Sequence, residues 1–138
     1  METYKKEIPE EYLFLRELEK KNFSKYLRKL ANKLAGKTVI FYGAGSYFNT
    51  INEYYNLNCL NILGISDIKF NNGSFGQFYG EYKAIQPDEI IKVNPDYVLL
   101  TTRYCLNLGL SLIHKFSGTK IQVKPLVNKG IFELLNGG

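Results

Sequence analysis

The residues best suited to chemistry in this sequence form a short turn, Gly43-Ala44-Gly45, followed by Ser46 and Tyr47. Glycines in such a turn allow a phosphate to approach the main-chain N–H groups closely. If a helix begins after the turn, its N-terminus adds a partial positive charge, and Ser46 can cap the helix or donate to the phosphate. The pattern therefore predicts a phosphate-binding turn, and the alternative is a tight turn that holds no ligand.

A second candidate, Asp67, comes 24 residues after Gly43 and directly follows a predicted buried strand. In dinucleotide-binding folds an acidic residue at this point accepts hydrogen bonds from a ribose hydroxyl. The third glycine of the G-x-G-x-x-G pattern is replaced here by Phe48, although glycine there normally lets the helix pack closely on the strand. We therefore expect Asp67 to bind a ribose, and we expect the phenyl ring to push the helix outward or rotate it.

Three further candidates, Thr101, Thr102 and Arg103, follow the fourth predicted strand. Ligands of open parallel sheets bind outside the carboxyl ends of the strands, so this loop is expected to border the same crevice as the glycine turn. Arginine pairs with phosphate or carboxylate groups, and the two threonines can offer hydroxyls. The alternative for Arg103 is an ordinary surface arginine.

The sequence predicts neither catalytic residues nor metal ligands. No cysteine or histidine lies near the glycine turn, so nucleophilic and metal chemistry lack their usual groups. The two cysteines, Cys59 and Cys105, have no metal-site spacing and are interpreted as free thiols, and His114 is interpreted as structural. We therefore expect a binding module without catalytic activity of its own.

These candidates can meet only if strands and helices alternate along the chain. Short apolar runs predict five strands, whereas the glycine- and asparagine-rich residues 69–81 predict a loop. Alternation of this kind implies a parallel sheet with right-handed crossovers. The predicted fold is α/β, a Rossmann-like doubly wound parallel sheet of about five strands, in residues 37–138. The strands are expected at 38–42, 61–66, 82–85, 96–102 and 120–123, and the helices at 46–57, 87–93, 105–116 and 129–135.

An N-terminal helical segment is predicted in residues 1–36. The second of its two helices has one apolar stripe at helical spacing, whereas the first has Tyr12, Leu15 and Leu18 at i, i+3 and i+6, with Leu13 beside them. The two stripes need a surface to cover, either the domain that follows or a second copy of the chain. The stripe of the second helix consists of Phe23, Tyr26, Leu27, Leu30, Ala31 and Leu34.

Charge is distributed unevenly along the 138 residues, whose formal net charge is +5. Residues 1–37 contain ten basic and six acidic residues, whereas residues 38–138 contain eight and seven. The basic character therefore belongs to the helical segment, where it indicates a solvated face or a surface for an anionic partner or membrane. No zinc-finger spacing or RNA-binding aromatic signature occurs, so we do not expect nucleic acid as a partner.

Length and hydropathy are typical of one soluble domain. No apolar run approaches the roughly 18 residues of a membrane span, and the first residues lack the apolar core of a signal peptide. We therefore expect a cytoplasmic protein without a membrane span.

Three segments resemble the small Rossmann-like domain of bacterial polysaccharide-biosynthesis proteins: YGAGSYFNTINEYY, ILGISD and YKAIQPDEIIKVNPDYVLLTT. Such domains precede the catalytic domain of membrane-linked nucleotide-sugar epimerases and dehydratases. The pattern is also similar to the C-terminal domain of sugar C-methyltransferases, in which Asn-Thr follows the glycine turn, as at Asn49-Thr50 here. The resemblance covers roughly residues 37–125. It implies a nucleotide-type ligand, NAD or a nucleotide sugar, in a surface-polysaccharide pathway.

The predicted function is therefore a nucleotide-binding module associated with surface-polysaccharide biosynthesis. One alternative is an enzyme of the nucleotide-sugar epimerase or dehydratase type, for which no acid–base pair is evident. Another is a ligand-free interaction domain that forms a homodimer through its N-terminal helices.

Overall fold

A computed structural model describes residues 9–72, 76–103 and 105–127 of the chain. These residues form a mixed α/β fold with five α-helices and a sheet of six mostly parallel strands, which agrees with the predicted α/β class. The helices are α1 (Glu10–Lys20), α2 (Phe23–Lys33), α3 (Ser46–Tyr54), α4 (Ile90–Val93) and α5 (Leu106–Lys115). The strands are β1 (Thr38–Tyr42), β2 (Asn61–Ser66), β3 (Phe78–Tyr79), β4 (Tyr82–Ile85), β5 (Tyr97–Leu100) and β6 (Gln122–Pro125).

The six strands form one sheet in the order β3-β4-β2-β1-β5-β6. All neighbouring pairs are parallel except β3 and β4, which form an antiparallel hairpin in which Tyr79 pairs with Tyr82. The hairpin turns at Gly80, whose φ of 61° suits glycine. The prediction of about five strands was therefore one strand short, because β3 has only two residues and lies in the segment predicted as a loop.

Most predicted element boundaries agree with the structure to within a few residues. The helix predicted to begin at residue 87 opens with a 3₁₀ turn, Pro87–Glu89, before α4. The helix predicted at 46–57 ends at Tyr54 and is followed by the 3₁₀ turn Leu57–Cys59. The helix predicted at 129–135 lies outside the described residues.

Helices cover both faces of the sheet. Successive residues of its central strand point to opposite sides, so the side chains on each side are buried by a different set of helices. Val39 and Phe41 of β1 belong to a buried cluster that includes residues of α1, α2 and α3. Ile40 and Tyr42 belong to a second cluster with residues of α4 and α5. The uniformly apolar character of β1 follows from this burial on both faces.

The N-terminal helices pack their apolar side chains into the core of the same chain. Leu27 and Leu30 of α2 are buried as its stripe predicted, and they share a cluster with β1. The prediction for α1 was partly wrong, because Phe14 is buried whereas Tyr12 and Leu13 are about half exposed. Packing selects the i, i+4 pair of Phe14 and Leu18, which lies on one helical face. None of the described helices has the length and apolarity that a membrane span requires.

The carboxylate of Asp96 connects three strands at their amino-terminal ends, which lie at the opposite end of the sheet from the glycine turn. Asp96, just before β5, accepts hydrogen bonds from the amide (2.8 Å) and hydroxyl (3.1 Å) of Thr38 at the start of β1. It also forms an ion pair of 3.2 Å with Lys120, just before β6. The Thr38 amide, followed by the Lys120 ammonium, lowers the pKa of Asp96 from 3.8 to about 2.

We expect Asp96 to contribute to acid sensitivity. Its pKa is lower in the folded state, so its contribution to stability is present above about pH 4 and is lost as the pH falls towards about 2. Asp96→Asn should therefore have a lower free energy of unfolding than wild type at neutral pH. The difference in free energy between the two proteins should decrease as the pH falls from about 4 to about 2. Urea unfolding across the pH range measures the effect. Asp88→Asn is the matched control, since the ion pair described for Asp88 is an exposed one with Lys115 and the pKa of Asp96 does not depend on it.

Candidate functional site

The glycine turn lies where the strand order changes direction. The chain passes from β1 to β2 on one side and later to β5 on the other side of β1. Loops that follow β1 and β5 therefore leave the sheet in different directions, and such switch points form ligand crevices in parallel sheets. Gly43 follows β1 and Thr101 follows β5, so the structure brings the two predicted loops together.

Gly43 is required by the fold. Its φ is +126°, and a Cβ atom there would lie 2.6 Å from the Thr102 methyl group and 2.9 Å from the Thr101 hydroxyl. The Thr101 hydroxyl also donates a 2.6 Å hydrogen bond to the Gly43 carbonyl. Thr101 was predicted to serve a ligand, and in the structure its hydroxyl holds the two loops together.

Gly45 differs from Gly43 in both conformation and surroundings. Its φ of −134° is available to any residue, and no atom lies within 4 Å of the position that an added Cβ would take. Gly45 is exposed and directly precedes α3. The fold therefore does not require glycine at this position, and the space above its main chain is open.

Asp67 lies against the glycine turn, and both of its carboxylate oxygens accept main-chain hydrogen bonds. One oxygen accepts a 2.7 Å hydrogen bond from the Ala44 amide, and the other accepts a 3.0 Å hydrogen bond from the Lys69 amide. The Gly43 amide donates to the Ser66 carbonyl at 2.8 Å. Two of the amides predicted to bind phosphate are therefore used within the chain, and the anion at Ala44 is the protein's own.

Lys69 is a site residue that the sequence analysis missed. Its ammonium donates a hydrogen bond to the Ala44 carbonyl and lies 5.2 Å from the centre of the Tyr79 ring. A lysine two residues after Asp67 was visible in the sequence, but it stood in a segment predicted as a loop. The direction of the Lys69 side chain depends on the 3₁₀ turn Ile68–Asn72, which no sequence pattern predicted.

Two buried hydroxyl groups beside Gly43 have no hydrogen-bond partner among the described residues. They are Ser66 Oγ, at the end of β2, and Thr102 Oγ1, in the loop after β5. A buried polar group that stays unpaired costs about 1–3 kcal/mol. Such groups commonly mark places where a water or a ligand completes the hydrogen bonding.

Phe48 does not occupy the mouth of the crevice. Its side chain is 1% exposed, and its ring lies 5.3 Å from that of Phe41 and 5.7 Å from that of Tyr82. The ring therefore packs between α3 and the sheet. Its place in the core accounts for an aromatic residue where the dinucleotide pattern has glycine.

Arg103 lies at the crevice but is held by the N-terminal helix. Its guanidinium forms ion pairs of 3.4 Å with Glu10 and 3.6 Å with Glu17, both on α1, and lies 5.9 Å from the centre of the Phe14 ring. These partners precede it by more than eighty residues, and no sequence pattern linked them. Arg103 was predicted to bind an anion of a ligand, and in the structure two carboxylates of the same chain pair with it.

A cavity of about 350 Å³ lies beside Arg103, between α1 and α3. Tyr47 stands in its wall with its ring centre 4.2 Å from that of Phe14. Burial is the main cause of a raised pKa for Tyr47, and Cys105 and Glu17 raise it further, so the hydroxyl stays protonated at neutral pH. The lining residues are Glu10, Glu11, Phe14, Ser46, Tyr47, Thr50 and Arg103.

A larger recess of about 470 Å³ lies between α1, α2 and the end of α3, and no predicted site residue lines it. In the described part of the chain, no three His, Cys, Asp or Glu side chains are grouped closely enough to hold a metal ion. Tyr79 and Lys83 have the Y-x-x-x-K spacing of short-chain dehydrogenases, which the sequence analysis overlooked. They lie on the two strands of the β3–β4 hairpin and not on one helix face, and the Tyr79 hydroxyl donates to Asn49.

Comparisons of the chain with protein-family models, with curated proteins and with solved structures found no match. The resemblance to polysaccharide-biosynthesis domains therefore stays a prediction from the motifs.

The two glycines of the turn should respond differently to the same substitution. Gly43→Ala should lower the free energy of unfolding by about 1–3 kcal/mol or more, because of its positive φ and the close threonines. Gly45→Ala should cost less, at most about 1 kcal/mol, because an added Cβ meets no atom there and alanine is only a poorer N-cap for α3. Urea unfolding measures both values, and equal losses would contradict the distinct roles assigned to the two positions.

Proposed function

We propose that this chain binds a nucleotide, either NAD or a nucleotide sugar, at the mouth of a Rossmann-like doubly wound sheet. The observation that carries the proposal is the open main chain at Gly45 beside the start of α3. Following the resemblance, we place this binding in bacterial surface-polysaccharide biosynthesis. The chain acts as a binding module and not as an enzyme of its own.

The phosphate groups lie over Gly45 and the first turn of α3. The amides of residues 45–47 have no acceptor among the described residues, and they point out of the helix N-terminus, where its dipole favours an anion. A glycine that the fold does not need leaves room for a phosphate at this point. Gly43 has the separate task of closing the turn onto the loop after β5.

Asp67 binds a ribose from the β2 side of the turn. Each carboxylate oxygen accepts one main-chain hydrogen bond and has capacity for a second. The two existing bonds fix the orientation of the carboxylate before the ligand arrives, which reduces the cost of ordering it. The buried hydroxyls of Ser66 and Thr102 offer further partners near the same point.

The enzymatic alternative lacks a suitable acid–base pair. Tyr42 and Tyr47 flank the glycine turn, and burial is the main cause of a raised pKa for each, so both are hydrogen-bond donors and not bases at neutral pH. Tyr79 and Lys83 lie on different strands. These features favour binding without chemistry.

We expect NAD or UDP-glucose to stabilise the wild-type protein. A ligand at a hundred times its Kd adds about 2.7 kcal/mol to the free energy of unfolding. Gly45→Val places a branched side chain in the open space over the turn and should abolish this stabilisation without unfolding the protein. Thermal unfolding with and without each nucleotide measures the effect.

Gly76→Val is the matched control, since Gly76 is also exposed, with no atom within 4 Å of an added Cβ. It should keep the full stabilisation. If Gly45→Val retained it as well, the proposed phosphate site would be wrong.

Asp67→Asn should separate ribose binding from phosphate binding. The amide oxygen can still accept from Ala44, but the charged acceptor for the ribose hydroxyls is lost. We expect affinity for NAD to fall about tenfold, as for the loss of a charge-assisted hydrogen bond. Affinity for inorganic pyrophosphate should stay the same or rise. Calorimetric titration of both probes measures this, and an equal loss for both would exclude a ribose contact.

A further inference from the structure

The cavity between α1 and α3 contains a cation that is already bound by carboxylates of the same chain. Arg103 forms part of its wall, and Glu10 and Glu17 hold the guanidinium from α1. We propose that this cavity is an anion subsite, in which Arg103 binds a phosphate group of the ligand in exchange for Glu10 and Glu17. The proposal deepens the proposed function and rests on it for the rest of the ligand.

The two ion pairs are weak enough to be exchanged. Their N···O distances of 3.4 and 3.6 Å are longer than the 2.7–2.9 Å of strong charge-assisted hydrogen bonds. The side chain of Glu10 is 85% exposed, so water and salt screen its attraction to Arg103. A phosphate that bonds the guanidinium at two points has the better geometry.

Apart from Glu11, the remaining wall of the cavity is uncharged. Three hydroxyl-bearing residues, Ser46, Tyr47 and Thr50, are among those that line it, and burial raises the pKa of Tyr47, which keeps its proton available for donation. The Phe14 ring, which packs on Tyr47, supports the guanidinium from one side and can keep it in place when the glutamates leave.

The charged residues on the two sides of the glycine turn favour one orientation of the ligand. Asp67 follows β2 and places a carboxylate on one side of β1, with the Lys69 ammonium at the neighbouring Ala44 carbonyl, whereas Arg103 follows β5 on the other side. A phosphate in direct contact with the Asp67 carboxylate is repelled by it, whereas the Arg103 guanidinium attracts a phosphate. The ligand class that fits is a diphosphate whose uncharged part lies near Asp67.

Removal of the competing glutamates tests the exchange directly. Glu10→Gln/Glu17→Gln should bind inorganic pyrophosphate more tightly than wild type, by up to about fivefold for each glutamate, the upper range for partly exposed ion pairs. Glu19→Gln/Glu89→Gln is the matched control. It removes the same charge, but neither residue lines the cavity or forms an ion pair with Arg103 among the contacts described. Calorimetric titration at one fixed salt concentration compares the variants.

A double-mutant cycle assigns the gain to Arg103. In the Glu10→Gln/Glu17→Gln background, Arg103→Gln should remove the whole gain, whereas in wild type it should weaken binding less. An equal gain in the Glu19→Gln/Glu89→Gln control, or a gain that survives Arg103→Gln, would overturn the exchange. So would the absence of pyrophosphate binding by Glu10→Gln/Glu17→Gln.

Failure of this inference differs from failure of the nucleotide proposal. If nucleotide binding depends on Gly45 but substitutions at Glu10, Glu17 and Arg103 leave the affinity for pyrophosphate unchanged, the proposed anion subsite is wrong and the proposed nucleotide site stands. If pyrophosphate binding follows the Arg103 cycle but no nucleotide depends on Gly45, the anion site stands and the nucleotide proposal is wrong.

Discussion

The contact between Gly43 and the loop after β5 is the constraint on which the site depends. Thr101 and Thr102 approach so closely that any side chain at position 43 would meet them, and the Thr101 hydroxyl bonds the Gly43 carbonyl. This contact closes β1 against β5 at the point where the strand order changes direction. Because the turn is held from this side, the main chain at Gly45 can remain open on the other.

Polar groups at the mouth of the sheet are largely satisfied by one another. Asp67 bonds the Ala44 amide, Lys69 bonds the Ala44 carbonyl, and Arg103 pairs with carboxylates of α1. A protein that binds an anion must hold its binding groups in place when the anion is absent, and internal partners of opposite charge do this at low cost. In the proposed exchange, the weak pairs of Arg103 are replaced on binding, whereas well-formed bonds such as that of Asp67 with Ala44 persist.

The N-terminal helices connect this mouth to the rest of the molecule. Phe14 and Leu18 pack α1 against the core, and Glu10 and Glu17 of the same helix form ion pairs with Arg103. The burial of Phe14 and the position of Glu10 are therefore coupled through one rigid element. An apolar stripe that could have covered a second copy of the chain is used within the chain, and the acidic face of α1 lies against the proposed site.

Much of the fold was predictable because burial leaves a periodic trace in the sequence. The runs at 38–42 and 61–66 are largely apolar because helices cover both faces of the sheet, and the stripe of α2 repeats at helical spacing. The glycine turn and Asp67 were predictable from their order along the chain. The hairpin at Tyr79 was not, since two residues are too few for periodicity and its pairing depends on β4. The partners of Arg103 and Lys69 were not predictable either, because a charged side chain binds whatever carboxylate, carbonyl group or aromatic ring packing brings within reach. Periodicity reports how each element is buried, whereas the distances between elements, and hence the bonds of the site, arise only when the elements pack together.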